Sequence, residues 1–167
     1  MMPFRVMSWN IGQPYSRSSF MLKSIPFFNK GVLPAKYLPF VAKTIRFVKP
    51  HVVCLQEVRD AKDHPEGVDQ LKMLENDLKG YKGFYGPETD GEHRALLVSK
   101  KFTTDHDFEI EEIKKKSEGV GIAAFLPKKD AWVANVHLDY EDLNMRHRQC
   151  HTLLSWIKRK RSRVILG

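Results

Sequence analysis

The chain has 167 residues, with 28 Lys and Arg against 20 Asp and Glu, a formal net charge of +8 at pH 7. Hydrophobic residues make up 42% and charged ones 29%, which excludes a disordered or collagen-like chain and fits one globular domain. No apolar run reaches the ~18 residues that a membrane-spanning helix needs. The N-terminus shows no long apolar stretch followed by a small-residue cleavage site, so the expected location is cytoplasmic. Surplus Lys and Arg favour a polyanionic partner, such as nucleic acid or an anionic lipid surface. Cys54 and Cys150 lie in apolar surroundings and are expected as free thiols, too far apart for a structural zinc site.

Phe4 to Trp9 reads as a strand ending at the turn-like Asn10-Ile11-Gly12. Residues 13–34 form an irregular basic and aromatic insertion, broken by Pro14, Pro26, Gly31 and Pro34. It reads either as a lid touching lipid or bases, or more simply as a loop whose apolar side chains tuck onto the core. Leu38, Val41, Ala42, Ile45 and Val48 recur at helical spacing up to Pro50. Val52 to Leu55 is continuously apolar, a strand covered on both faces that runs out at Gln56-Glu57. Asp63-His64-Pro65-Glu66 has the form of a capping box, with Val68, Leu71, Leu74 and Leu78 as the stripe of its helix and Gly80 as its stop. Further strands are expected at 94–99, 120–126 and 131–137. A last helix over about 142–160 carries Leu143, Cys150, Leu153, Leu154 and Ile157 on one face, and a final strand begins at Arg163. The basic run Lys158 to Arg161 suits the negative end of that helix's dipole.

Three apolar strands each deliver a polar group at or just past their C-terminal end: Asn10, Glu57 and His137. Strand ends on one rim of an α/β scaffold are where reactive groups are held in fixed geometry. Glu supplies an anionic oxygen suited to Mg²⁺, which needs only one or two carboxylates because it keeps several waters. An amide orients water or phosphate oxygens, and an imidazole donates to phosphate or acts as a general acid. Arg94 reads either as a phosphate contact or as a solvated surface charge. His147 and His151, four apart on one helix, lack an obvious third ligand and read as a polar face.

Met7-Ser8-Trp9-Asn10-Ile11, Val53-Cys54-Leu55-Gln56-Glu57-Val58 and Val133-Ala134-Asn135-Val136-His137-Leu138 stand in the order typical of one superfamily. Leu96 to Lys100 is similar to its middle strand, and Arg146-His147-Arg148-Gln149 to the Arg-x-x-Gln segment that follows its His-Leu motif. The chain thus resembles the deoxyribonuclease I-like endonuclease/exonuclease/phosphatase superfamily over nearly its whole length. The resemblance implies a four-layer αββα sandwich and Mg²⁺-dependent hydrolysis of phosphate esters, with Mn²⁺ as an alternative ion. It implies that Glu57 holds the metal with help from Asn10, that Asn10 meets the phosphate, and that His137 contacts the phosphate and acts near the leaving group. The implied substrates are phosphate esters: nucleic acid, phospholipid or inositol phosphate.

Superfamily members continue past a strand like Val164-Ile165-Leu166-Gly167 into an Asp-Phe-Asn-like motif, and here the chain stops at the Gly. The expectation is therefore that residues 1–167 are the N-terminal portion of a single such domain. It is expected to hydrolyse phosphate esters poorly and to self-associate through an unpaired sheet edge. The alternative is a catalytically silent module that binds phosphate or nucleic acid.

Overall fold

The computed structural model describes residues 3–12, 33–89, 91–115 and 118–167. Most of the basic and aromatic 13–34 segment lies outside the described residues. The first sheet has the order β1-β2-β4-β3, built from β1 (Val6–Asn10), β2 (Val52–Val58), β3 (Tyr81–Thr89) and β4 (Glu92–Ser99). The second has the order β5-β6-β7-β8, from β5 (Glu109–Lys115), β6 (Glu118–Leu126), β7 (Ala131–Val136) and β8 (Arg163–Leu166). Each sheet contains one parallel pair, β1 with β2 and β7 with β8. Parallel neighbours need a crossover, and helices supply both: α1 (Leu38–Val48) joins β1 to β2, and α4 (Leu143–Lys158) joins β7 to β8. Between them lie α2 (Gln70–Asp77) and the single turn α3 (Lys100–Thr103).

Side-chain alternation along the strands sorts the core into three apolar layers. Val53, Leu55, Ala95 and Leu97 pack against Leu38, Val41 and Ile45 of α1 and Leu71 and Leu74 of α2. Val52, Cys54, Leu96 and Val98, on the opposite face, meet Ile122, Ala124, Leu126 and Val133 of the second sheet. Trp132 and Ala134 turn outward to Leu153 and Trp156 of α4. Helices, sheet, sheet and helix follow in that order, the αββα sandwich that the resemblance implies. Among the described residues no helix is long and apolar enough to cross a membrane.

Several local expectations are corrected. The N-cap of α2 is Asp69, whose carboxylate accepts the Lys72 N–H at 2.8 Å. Asp63 sits instead in a turn, with its own N–H given to Asp60. Pro65 and the left-handed Gly67 (φ 64°) keep that stretch from winding into helix. Leu143 and Leu154 are 55% and 52% exposed, and α4 turns Gln149, Thr152, Leu153 and Trp156 inward. The strands β3 and β5 have no counterpart in the sequence reading. Arg94 lies inside β4 and is buried, not a solvated surface charge.

Candidate functional site

Strand β4 runs antiparallel to β2, so its first residues share an edge with the C-terminal ends of β1 and β2. The end of β7 meets that edge from the second sheet. Asn10, Glu57, Arg94 and His137 are thereby brought together across the sandwich, although 127 positions separate the first from the last.

Simple alternation would aim Glu57 the wrong way, because Val53 and Leu55 of the same parity face the helices. A bulge intervenes. Between Leu55 and Val58 two residues of β2 oppose one of β4, and Glu57 takes a left-handed φ of 58°. Non-glycine residues rarely adopt that backbone, at a cost of roughly 1–3 kcal/mol, and bulges are a device for re-aiming a side chain. The carboxylate consequently turns toward the inter-sheet edge. Its Oε1 accepts the Asn10 Nδ2–H at 2.6 Å and lies 3.4 Å from His137 Nε2. Asn10 is itself held, since its Oδ1 accepts the Gly12 N–H at 2.9 Å. Gly12 is obligatory there, because a Cβ at that position would overlap Cβ and Oε2 of Glu57.

The second carboxylate oxygen, Oε2, is buried and has no hydrogen-bond partner among the described residues. The hydrogen bond from His137 holds the Glu57 carboxyl below its usual pKa, against an upward push from burial, and Asn10 adds to the lowering. An ionised carboxylate with one oxygen fixed and one unsatisfied is the donor a hard divalent ion takes. The chemistry of this carboxylate fits a hard divalent ion such as Mg²⁺, which Glu57 would hold. Among the described residues no group of three or more His, Cys, Asp or Glu is placed to hold a metal ion, so Glu57 stands as a lone carboxylate.

Arg94 is 5% exposed and reaches across the sandwich. Its Nη1 donates to Thr89 Oγ1 and its Nη2 to the His137 carbonyl, both at 2.7 Å, so it fixes the backbone that carries the imidazole. Bulges on both neighbouring strands open opposite Arg94, in β2 and, between Tyr85 and Glu88, in β3. Glu57, Glu92, Arg94, His137 and Asp139 line a single cleft of about 100 Å³. Burial and the nearby Glu57 charge push the Glu92 carboxyl up, while Arg59, 2.7 Å away, pulls it back.

Sequence reasoning assigned no role to three supporting residues. Asn135, fully buried on β7, donates its amide to the carbonyls of Leu55 and Ala95 at 2.7 and 2.8 Å, bridging the sheets. Its Oδ1 accepts Gln56 Nε2–H at 2.6 Å. Gln149, from the Arg-x-x-Gln segment, accepts the Asp139 N–H at 2.7 Å and so ties α4 to the loop beyond His137. A polar residue in an otherwise apolar strand was the available signal for Asn135. His147 and His151 are both exposed on α4, as the polar-face reading expects.

No protein-family model matches the sequence, and no curated protein matches it. Solved structures do. D. rerio TDP2, in a complex with single-strand DNA product, is 18% identical with a TM-score of 0.64, the match covering 98% of this chain and 58% of that one. The mannosyl-6-phosphatase Bt3783 of Bacteroides thetaiotaomicron is 15% identical with a TM-score of 0.65, covering 98% of this chain and 64% of that one. An endonuclease/exonuclease/phosphatase from Bacteroides vulgatus is 18% identical with a TM-score of 0.63, covering 93% and 60%. The chain thus spans about three-fifths of the length of these structures. The layers, the strand order and these likenesses together show that the chain has the deoxyribonuclease I-like fold of the endonuclease/exonuclease/phosphatase superfamily.

Proposed function

We propose that these residues carry the metal-holding part of a Mg²⁺-dependent phosphoric ester hydrolase, of nuclease, phosphodiesterase or phosphatase type. The observation that carries it is the Glu57 carboxylate, with Oε1 gripped by Asn10 and His137 and Oε2 buried without a partner. Glu57 would hold the divalent ion, which when bound neutralises charge on the phosphoryl oxygens and on the departing oxygen. Asn10 keeps the carboxylate in place, and its amide stands beside the scissile phosphate. His137, fixed through its carbonyl by Arg94, would turn its Nε2–H from Glu57 to the phosphate and act near the leaving oxygen once substrate is bound. Arg94 contributes a buried positive charge to the cleft wall, favourable to an anionic ester. A nucleic-acid substrate accords with the +8 charge and with the DNA product on the zebrafish neighbour.

The chain covers about three-fifths of the length of the solved structures it resembles, and the reading concerns the groups present in it. Metal binding is accordingly the direct test. Electron paramagnetic resonance of Mn²⁺ should show saturable uptake by the chain that Glu57→Gln, a neutral isostere, abolishes. Uptake unchanged in that variant rejects the assignment. Salt-sensitive oligonucleotide binding that ignores both metal and Glu57 would favour the silent binding module instead. Among the described residues β1 and β8, like β3 and β5, each have a neighbour on one side only, and open edges recruit further strands. A concentration-dependent increase in sedimentation coefficient is expected, and a strict monomer contradicts it. The proposed compartment is the cytoplasm, in keeping with the unpaired thiols of Cys54 and Cys150.

A further inference from the structure

A second cavity, of about 270 Å³, opens on the far side of the second sheet, between β5 and α4. It shares no lining residue with the Glu57 cleft. Lys114 and Lys115 of β5 line one side; His151 and Ser155 of α4 and Arg159 at its C-cap, spaced four apart, line the other. Glu112 is the one carboxylate in the lining, and it is ion-paired with Lys114. The side chains of Lys115, His151, Ser155 and Arg159 make no hydrogen bond or ion pair with another described residue. The buried wall is Trp156, 1% exposed, whose indole N–H is also without an acceptor. Lys160 braces that wall by lying 3.9 Å from the Trp132 ring centre and 5.0 Å from that of Trp156, while its ammonium pairs with Glu111.

This is a concave site rich in donors and poor in acceptors. Three permanent cations face one carboxylate, and the negative end of α4 offsets only about half a charge. The volume lies just below the roughly 300 Å³ of a drug-sized pocket and far above the ~30 Å³ of one water. We propose that this cavity binds a phosphate group, with Lys115, Arg159 and Ser155 as its ligands and Trp156 as its wall. The inference is independent of the hydrolase reading, since it uses neither Glu57 nor a metal. Two sources supply that chemistry, a free phosphate ion and a phosphate of a nucleic-acid backbone.

Both are tested in EDTA, which removes metal-mediated phosphate binding at the Glu57 cleft. The indole N–H signal of Trp156, assigned by mutation, is followed by heteronuclear NMR as inorganic phosphate or a short oligothymidylate is added. Saturable movement of that signal with phosphate, and no tighter effect of the oligonucleotide, identifies the free ion as the ligand. Movement with the oligonucleotide alone identifies the backbone. In either case the exposed pair Lys115→Glu and Arg159→Glu should weaken binding at least about tenfold, as expected from losing charge-assisted hydrogen bonds. Lys115→Arg with Arg159→Lys should retain it, and so should Glu57→Gln. No movement with either probe, or movement that survives the charge reversal, overturns the proposal.

Discussion

The Glu57 carboxylate is kept ionised by its hydrogen bond from His137, which outweighs the cost of its burial. Its folded pKa lies below the ordinary value of 4.5. The unfolded chain therefore takes up the proton first as the medium is acidified. Stability from Glu57 is complete above 4.5 and is lost as the pH falls through the lower folded value. Urea midpoints of the wild type and Glu57→Gln should accordingly converge below 4.5, and a gap that widens there contradicts the account. Gly12→Ala is the second residue-scale prediction. Its new Cβ overlaps Glu57 Oε2, so the carboxylate must move and Mn²⁺ uptake should be lost while the fold persists. Full uptake by that variant would show that the Glu57 placement described here is not the one that matters.

Among the elements, the buried Asn135 amide joins the two sheets within their apolar seam, as Arg94 does at the cleft. Asn135→Ala takes the amide donor from the carbonyls of Leu55 and Ala95, and leaves the Gln56 amide with Ser8 Oγ, at 3.1 Å, as its acceptor. At ~1–3 kcal/mol for each unsatisfied buried group, partly relieved by relaxation, the expected loss is about 3–5 kcal/mol by chemical denaturation. A loss under about 1 kcal/mol would mean that the seam is held elsewhere. Asp69→Ala should cost about 1–2 kcal/mol, as usual for an N-cap. Its carboxylate also accepts the Tyr85 O–H at 2.6 Å, which ties α2 to β3. The sequence pattern concealed this cap because Asp63 three residues before Glu66 satisfies the same local rule. The turn there is decided by distant partners: the Glu66 carboxylate receives the Ala35 N–H, and the buried His64 ring meets the Leu33 carbonyl. β5 was hidden for another reason. It is an edge strand whose Glu109, Glu112, Lys114 and Lys115 are exposed, so its charges guard the edge and erase the apolar signature. Gly83, Gly86 and Pro87 broke up β3 in the same way, and a Cβ on Gly86 would come within 2.7 Å of Ile122.

At the scale of the whole molecule, polar residues ending apolar strands picked out Asn10, Glu57 and His137, and the fold brings these three side chains together. Each strand's hydrophobicity is local, and its end falls where burial stops. What the linear pattern did not carry is how Glu57 gets there, because alternation aims it at the helices and only the bulge reverses it. Nor does a sequence show that Arg94 spends its guanidinium on the backbone of a residue in the other sheet. The sandwich also predicts the fate of its thiols. Burial between the sheets pushes the Cys54 thiol up to about 12, whereas Cys150 is half-buried on α4. Maleimide labelling read by mass spectrometry should modify Cys150 first and reach Cys54 only when urea opens the sheets. Equal labelling of both in the native state would contradict this packing.

The central claim is that the orphaned oxygen of Glu57 is a divalent-ion ligand. Its most direct test is a crystal of this chain soaked in Mn²⁺ and measured for anomalous scattering. The account predicts a difference peak at coordination distance from Glu57 Oε2, roughly 2.0–2.2 Å for an ion of this class, that disappears in Glu57→Gln. A saturating soak that leaves Oε2 without a peak, or places the ion out of reach of Glu57, contradicts it.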